Sequence, residues 1–455
     1  MPELLGSADG EILRWRSASD SGIAGVKLAE KEIAGGELRP RTSQRRLAIA
    51  GMAGNILEWY DFSIYGFFAY AIGSNFFPSH SAATSLIDAF GVFAAGFLMR
   101  PLGALVFGHI GDHYGRQRAL TLSVVAMAVP TVLIGLLPTY RQIGVTAAVL
   151  LVVLRLVQGL SVGGEYTTSV VFLIEGSLTR RRGLMGAFGA AAAFAGVMLG
   201  SGVGALVAAT MSPAALAAWG WRLPFLAGST IGIAGYFIRR ELQDAGSLPR
   251  VAPPPIRDVL RTQWGRVLQV AGVKVLESVG FYLMFVYSAT YLTEIVGIAK
   301  SRALAINTIG MAAAVLMLPV AGALSDRFGR KPMLLLASGL IMCLAWPLFN
   351  LLWHPMFHVP MLGQIGFALL IASFDGVAPA AAAEAFPANV RCTGVGLSHN
   401  LCIALFGGTA PLVATYLIDR TGNEMIPPLY LIGAAVVSAI FVLSLKETAH
   451  QPLSD

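Results

Sequence analysis

The chain has few charged residues and few cysteines, and each shortage excludes a class of protein. Charged residues make up 13% of the sequence and hydrophobic residues 56%, which is too apolar for a soluble globular protein. The three cysteines, Cys343, Cys392 and Cys402, show neither a disulfide pattern nor metal-ligand spacing. The sequence has no Gly-Lys-Ser/Thr phosphate loop, no metal-spaced histidine cluster and no nucleophile triad. We therefore expect a membrane protein that is neither an ATP-driven pump nor an enzyme, with no cofactor and no metal.

Long apolar stretches follow one another along most of the chain. A helix of about 20 residues crosses roughly 30 Å of hydrocarbon, and twelve stretches approach or exceed that length. We number them spans 1 to 12; they cover residues 47–72, 85–107, 119–137, 144–172, 184–210, 221–238, 267–291, 303–324, 333–353, 361–383, 394–417 and 429–445. The expected fold is an all-α integral membrane protein with 12 transmembrane helices.

The basic residues between the spans are unevenly distributed. One set of loops, with Lys446, carries sixteen Lys and Arg residues, whereas the opposite set carries five. Because basic residues accumulate on the cytoplasmic side, we expect both termini to be cytoplasmic. This asymmetry also accounts for the net charge of +7, so a nucleic-acid partner is not expected.

The regions outside the spans differ in composition from them. Residues 1–46 have mixed charge and no signal-length apolar run, which predicts a disordered cytoplasmic tail. Residues 239–266 contain Pro253, Pro254 and Pro255 among arginines and read as a cytoplasmic linker. The predicted organisation is a six-helix bundle over 47–238 (the N half), a second over 267–445 (the C half), and a cytoplasmic tail over 446–455.

Two pairs of similar segments support a duplication of the halves. Gly108-His-Ile-Gly-Asp112-His-Tyr-Gly-Arg116-Gln-Arg118 matches Gly322-Ala-Leu-Ser-Asp326-Arg327-Phe-Gly-Arg330-Lys331, 214 residues later. The segments that begin at Glu175 and Glu384, 209 residues apart, each continue to an arginine and a glycine. Parallel repeats of this kind build transporters with a substrate site near the midplane between the halves.

Several segments together resemble a known family. The Gly-x-x-x-Asp-x-x-Gly-Arg loops and Arg155-Leu-Val-Gln158-Gly159 resemble signatures of the major facilitator superfamily. Four more are similar to its metabolite:proton symporter branch, which includes citrate, 2-oxoglutarate, shikimate and proline/betaine carriers: Gly54-Asn-Ile-Leu-Glu58-Trp-Tyr-Asp-Phe62, Met99-Arg-Pro-Leu-Gly103, Gly163-Gly-Glu-Tyr166 and Trp219-Gly-Trp-Arg-Leu-Pro-Phe225. The resemblance covers about residues 44–447 and implies two pseudo-symmetric bundles in the plasma (bacterial inner) membrane.

Ionisable residues inside the spans are the candidate transport residues, because such charges are costly in hydrocarbon. On span 1, Asn55, Glu58, Asp61 and Tyr65 fall on one helix face. Counting along the helices places Arg155 near the depth of Glu58. A solute carboxylate that took the arginine would leave the acid unpartnered and readier to bind a proton. The alternative is a fixed ion pair between spans 1 and 4.

Other polar residues have two open interpretations each. Gln158 contacts either solute or span 1, and Arg100 either attracts solute or pairs helices. Lys274 and Glu277 either form a local salt bridge or line the cavity. His399 and Asn400 on span 11 either line the cavity or have a structural role. The family resemblance implies a cytoplasmic gate formed by Asp112, Arg116, Asp326, Arg327 and Arg330. The alternative is that these residues only fix the shape of their loops.

The leading functional hypothesis is a proton-coupled symporter that takes up a small organic acid, such as a di- or tricarboxylate, by alternating access. Uptake of a zwitterion such as proline or betaine, proton-coupled export, and a non-transporting membrane sensor remain alternatives. The expected partners are the solute, protons and the lipid bilayer, and we expect the protein to work as a monomer.

Overall fold

The computed structural model describes residues 41–114, 116–162, 165–229, 259 and 261–453. These residues are predominantly helical, and none of them lies in a β-strand. The described residues from Ala48 onward form one compact unit. The all-helical architecture expected from the apolar stretches is confirmed.

Nine helices within these residues are long and apolar enough to cross a membrane. They correspond to spans 2, 4, 5 and 7 to 12, and their bounds are Ala82–Ala104, Val145–Glu175, Thr179–Thr210, Trp264–Glu294, Lys300–Phe328, Arg330–Leu351, His358–Glu384, Arg391–Thr421 and Ile426–Ser444. Span 1 consists of the helices Arg41–Phe67 and Ala69–Phe76, and span 3 of the helix Arg116–Leu136. Span 6 is helical over residues 222–229, after which it lies outside the described residues.

Some boundaries differ from those expected. The first helix begins at Arg41, inside the predicted tail, and the span 7 helix begins at Trp264, inside the predicted linker. Residues 1–40 and most of the linker lie outside the described residues. Basic and polar residues lie at the start of both helices. They shorten the apolar stretch from which a span is predicted, but they do not prevent helix formation.

Several membrane helices are interrupted part-way. Spans 2, 4 and 10 each divide into two helices, whereas spans 7 and 11 contain π-helical segments at Tyr282–Tyr287 and Ile403–Gly407. Pro101 and Pro379 stand just after two of the breaks, and proline has no N–H for the helix ladder. In span 7, Asn307 and Gln364 donate side-chain hydrogen bonds to the carbonyls of Phe285 and Met284. Tertiary donors thus satisfy the backbone of the irregular turn.

Spans 5 and 8 pack together along their lengths and join the two halves. At one end, a Cβ at Gly322 would come within 2.5 Å of the Gly183 carbonyl oxygen, so only glycine permits this approach. Nearer the other end, Ser201 donates a hydrogen bond to the Leu304 carbonyl at 3.0 Å. These contacts hold the N half and the C half together along spans 5 and 8.

Candidate transport site

A small cavity lies between the halves near the middle of the spans. Its volume is about 20 Å³, enough for about one water molecule. Both halves supply its lining, which consists of Trp59, Tyr166, Ala190, Ala193, Phe194, Glu277, Ser278, Phe281, Tyr282, Asp375, His399 and Ile403. A solute can therefore enter only if the halves or these side chains move apart.

Glu58 on span 1 forms a buried ion pair with Arg100 on span 2. Arg100 Nη2 donates to Glu58 Oε1 at 3.2 Å, and both side chains are almost fully enclosed. The guanidinium also lies 5.5 Å from the Trp59 ring centre and 5.0 Å from that of Phe97, within cation–π range. Depth along the sequence alone predicts Arg155 as the partner of Glu58, but Glu58 forms this ion pair with Arg100, which lies at the proline-containing break in span 2.

Arg155 on span 4 lies in a separate buried arrangement. Its Nη1 donates to Gln158 Oε1 at 3.0 Å, and Gln158 Nε2 donates to Thr131 Oγ1 at 2.7 Å. The guanidinium carbon stands 4.2 Å from the Tyr65 ring centre. Asp61 lies within electrostatic range of Arg155 and beside Thr131. Asp61, rather than Glu58, is thus the acid whose charge acts on Arg155.

The remaining polar residues of the span 1 stripe bind neighbouring helices. Asn55 Nδ2 donates to Ser169 Oγ at 3.0 Å on span 4, and the Tyr65 hydroxyl donates to the Ala89 carbonyl at 3.1 Å on span 2. All four stripe residues are buried. The stripe faces protein rather than lipid, and its members join span 1 to spans 2 and 4.

A second charged cluster lies on the C-half side of the cavity. Lys274 Nζ donates to both oxygens of Glu277, at 2.6 and 2.5 Å. Lys274 is only 2% exposed, so it does not extend to the membrane surface. His399 Nδ1 lies 3.8 Å from Glu277 Oε1, and its ring centre lies 4.9 Å from that of Tyr166 in the N half. Asn400 is buried next to it in sequence.

Asp375 was not among the candidates from sequence. It ends the helix His358–Asp375 in span 10, lines the cavity, and is 2% exposed. Its Oδ1 has no hydrogen-bond partner among the described residues. In a sequence, an acid before a glycine is typical of a helix end. The one feature that could have identified Asp375 as a candidate transport residue was its position inside an apolar span.

One end of the bundle, which we call the charged end, holds a network centred on Arg330. This arginine, which begins the span 9 helix, donates to Asp326 at 2.8 Å and to Glu384 at 3.1 Å. Asp326 accepts hydrogen bonds from the backbone N–H groups of Gly183 and Leu184 at 2.8 and 2.9 Å. These are first-turn N–H groups of the span 5 helix, where a negative charge is favoured by the helix dipole.

Two further ion pairs at the charged end join the halves reciprocally. Glu384 in the C half pairs with Arg182 in the N half at 3.1 Å, and Glu175 in the N half pairs with Arg391 in the C half at 2.5 Å. Each glutamate precedes an arginine of its own half by seven residues, and each pairs with the equivalent arginine of the other half. The equal spacing in both halves was the sequence signal for these residues.

The other gate candidates stand outside this network or outside the described part of the protein. Arg327 is exposed and lies 5.3 Å from the ring of its neighbour Phe328. The side chains of Asp112 and Arg116 lie outside the described residues. Their predicted role in a gate remains a prediction.

The C-terminal segment, residues 445–453, lies against the charged end. Burial alone would raise the pKa of the Glu447 carboxyl, but backbone N–H groups, including those of Arg330 and Lys331, hold that pKa below its usual value. Thr448 donates to Glu384 at 2.6 Å, and Arg182 donates to the Gln451 carbonyl. Gly329, at φ +102°, makes the junction between spans 8 and 9, where a Cβ would come within 2.7 Å of Glu447.

The opposite end, which we call the far end, is closed by apolar and hydroxyl contacts. The rings of Phe90 in span 2 and Tyr287 in span 7 stand 5.8 Å apart. Ser201 and Thr308 share a hydrogen bond of 2.9 Å across the halves. The described residues therefore hold the halves together on both sides of the cavity.

Known protein families match this chain over nearly all of its predicted spans. The family described as "Sugar (and other) transporter" matches residues 47–242, and the Major Facilitator Superfamily matches residues 270–454. The glycine betaine/proline/ectoine/pipecolic acid transporter of Dickeya dadantii is 34% identical over 90% of this chain and 84% of its own. The alpha-ketoglutarate permease of Escherichia coli is 36% identical over 92% and 98%. The citrate-proton symporter of Klebsiella pneumoniae is 33% identical over 84% and 88%.

Solved structures show the same fold. A crystal structure of a D-xylose-proton symporter superposes with a TM-score of 0.70 at 17% identity, covering 90% of this chain and 99% of that one. The relatives are transporters and permeases rather than enzymes. The chain therefore belongs to the major facilitator superfamily and is a secondary active transporter.

Proposed function

We propose that the protein is a proton-coupled symporter that takes up a small solute bearing a carboxylate. The observation that carries this proposal is the pair of buried guanidinium groups in the N half, Arg100 and Arg155, each with an acid near it. Nε and Nη1 of Arg100, and Nε and Nη2 of Arg155, have no hydrogen-bond partner among the described residues. Unpaired arginine N–H groups in a dry site favour a carboxylate, which accepts two such bonds at once.

Competition for Arg100 provides the coupling in this proposal. A solute carboxylate that binds Arg100 displaces Glu58, and an acid without its cation binds a proton more readily. The proton and the solute then occupy the site together and neutralise its charge. Asp61, which is within electrostatic range of Arg155, would act in the same way if the solute reached that arginine.

The names of the relatives support a proton-coupled carrier and leave two solute classes. One relative is a citrate-proton symporter and another an alpha-ketoglutarate permease, whereas others transport proline and betaines. Both classes carry a carboxylate. The organic acid and the zwitterion are therefore both candidates for this chain.

The charged end is proposed to face the cytoplasm of a plasma membrane, in bacteria the inner membrane, with the protein acting as a monomer. The loops between spans 4 and 5, 8 and 9, and 10 and 11 belong to the set that carries sixteen basic residues, and they lie on that side. Alternation between a state that is closed at the charged end and a state that is closed at the far end would then move solute inward, by alternating access.

Uptake into proteoliposomes tests this function. Radiolabelled succinate, citrate, L-proline and glycine betaine are supplied outside vesicles with and without an imposed gradient, acid outside. Accumulation of at least one solute above equilibrium, abolished by a protonophore, is expected. Accumulation only with acid inside would identify an exporter, and no movement of any solute would favour a non-transporting sensor.

A further inference from the structure

We propose that the C-half wall of the cavity is a subsite for a cationic group of the solute, formed by Asp375 and the aromatic rings around it. The inference rests on the proposed function, because it takes the carboxylate of the same solute to bind near Arg100. A solute that satisfies both ends is a zwitterion with an ammonium group.

The charges on this wall leave one acid without a counter-ion. Lys274 is engaged by both oxygens of Glu277, so that pair is neutral. Asp375 is within electrostatic range of both, and no lysine or arginine is among the described residues that line the cavity. We therefore expect a positively charged group of the solute to bind at the buried, unpartnered oxygen of Asp375, because an isolated charge in the membrane interior is costly.

Aromatic rings enclose the same space. The Trp59 ring centre lies 5.9 Å from that of Tyr166 and 5.1 Å from that of Phe281, at steep interplanar angles. Tyr282 adds a ring 5.2 Å from Phe281. Mutually inclined rings present faces and edges to one cavity, and aromatic faces attract ammonium groups, including quaternary ones.

The alternative solute fits this wall less well. A dicarboxylate with one end on Arg100 would bring its second carboxylate toward Asp375. Like charges brought together without water are repulsive and select against the wrong ligand. The wall therefore favours a zwitterion over an organic acid.

The small size of the closed cavity fits this assignment only if the halves part. Trp59 and Tyr166 belong to the N half, whereas Phe281, Tyr282 and Asp375 belong to the C half. Separation of the halves enlarges the space, and closure around an ammonium group brings the rings and the acid into contact with it.

A matched pair of ligands tests the subsite without any variant. Glycine betaine and 3,3-dimethylbutanoate have nearly the same shape and one carboxylate each, but only glycine betaine has the positive nitrogen. Calorimetric titration of the purified protein should give an affinity at least about tenfold higher for glycine betaine. Equal affinities, tighter binding of succinate, or no binding of glycine betaine would overturn the subsite.

Two variants and a control locate the effect. Asp375→Asn and Phe281→Leu should each lower glycine betaine affinity several-fold or more while leaving 3,3-dimethylbutanoate within about twofold. Asp88→Asn, an equivalent change at an exposed position, should alter neither. Wild-type affinity in both folded variants would overturn the assignment. Proton-driven uptake of succinate without zwitterion uptake would overturn the subsite but leave the proposed function standing.

Discussion

Glu384 Oε1 lies 3.1 Å from Nη1 of Arg182, although the two residues belong to different halves of the molecule. The equivalent residues, Glu175 and Arg391, pair in the same crossed manner at 2.5 Å. The repeat thus places its own charges so that each half bonds to the other at the charged end. Closure of that end is electrostatic, whereas the far end closes largely through aromatic and hydroxyl contacts.

Loss of the Glu384 charge should open the charged end. Removal of one partner from a buried ion pair costs about 3–5 kcal/mol, and Glu384→Gln weakens contacts with both Arg182 and Arg330. In a background without the native cysteines, a cysteine at the buried position Ala187 should react with a maleimide at least about tenfold faster when Glu384→Gln is added. Asp419→Asn, at an exposed position, serves as the control, and an unchanged rate would show that these pairs do not control closure.

The C-terminal segment should stabilise the charged end in a pH-dependent way. Because the pKa of Glu447 is lowered in the folded protein, its contribution is present above the usual carboxyl pKa and is lost as pH falls through the lowered value. Glu447→Gln should therefore cost about 1 kcal/mol at pH 7, as loss of a helix cap does.

Thermal unfolding in detergent at pH 7 and at successively lower pH measures this difference. The gap in melting temperature between wild type and Glu447→Gln should narrow as the pH falls. A gap of constant size would mean that the carboxylate charge is not what holds the segment.

Neutralisation of Glu58 should separate binding from proton coupling. Glu58→Gln leaves Arg100 without its ionic partner, so a carboxylate solute no longer has to displace a charge. We expect solute exchange between the two sides of a vesicle to persist, while accumulation driven by a proton gradient falls by at least about tenfold. Counterflow and gradient-driven uptake, measured on the same vesicles, distinguish the two, and full gradient-driven accumulation would remove Glu58 from the coupling step.

Asp61 should contribute to coupling through Arg155. Its Oδ1 has no hydrogen-bond partner among the described residues, and Arg155 is a guanidinium within electrostatic range of it. Asp61→Asn is expected to reduce proton-driven accumulation with little change in folding, as judged by gel filtration and melting temperature. If the variant accumulates solute as well as wild type does, Asp61 has no role in coupling.

The architecture was largely predictable because hydrocarbon thickness fixes the length of an apolar stretch. Nine of the long helices within the described residues coincide with predicted spans. The π-helical turn at Tyr282–Tyr287 was not predictable, since its carbonyl groups are satisfied by Asn307 and Gln364 from other spans. Such donors are adjacent only after the helices have packed.

The site was predictable in composition but not in pairing. Depth counting places Glu58 and Arg155 at similar heights, yet it does not give the rotation of each helix or the effect of the break before Pro101. Those two factors bring Arg100 to Glu58. The sequence does not identify Asp375, because a single acid near a glycine has no periodic pattern. Only the packing of the helices shows that it lines the cavity.

The most direct test of the central claim is whether solute and protons move together. Proteoliposomes in weakly buffered medium, with no imposed gradient, receive a solute that the protein binds, and external pH is recorded. Proton-coupled symport predicts a rise in external pH that requires the protein and is lost in Glu58→Gln. Solute uptake without any pH change would contradict the account, and acidification of the medium would show that the protons move in the opposite direction.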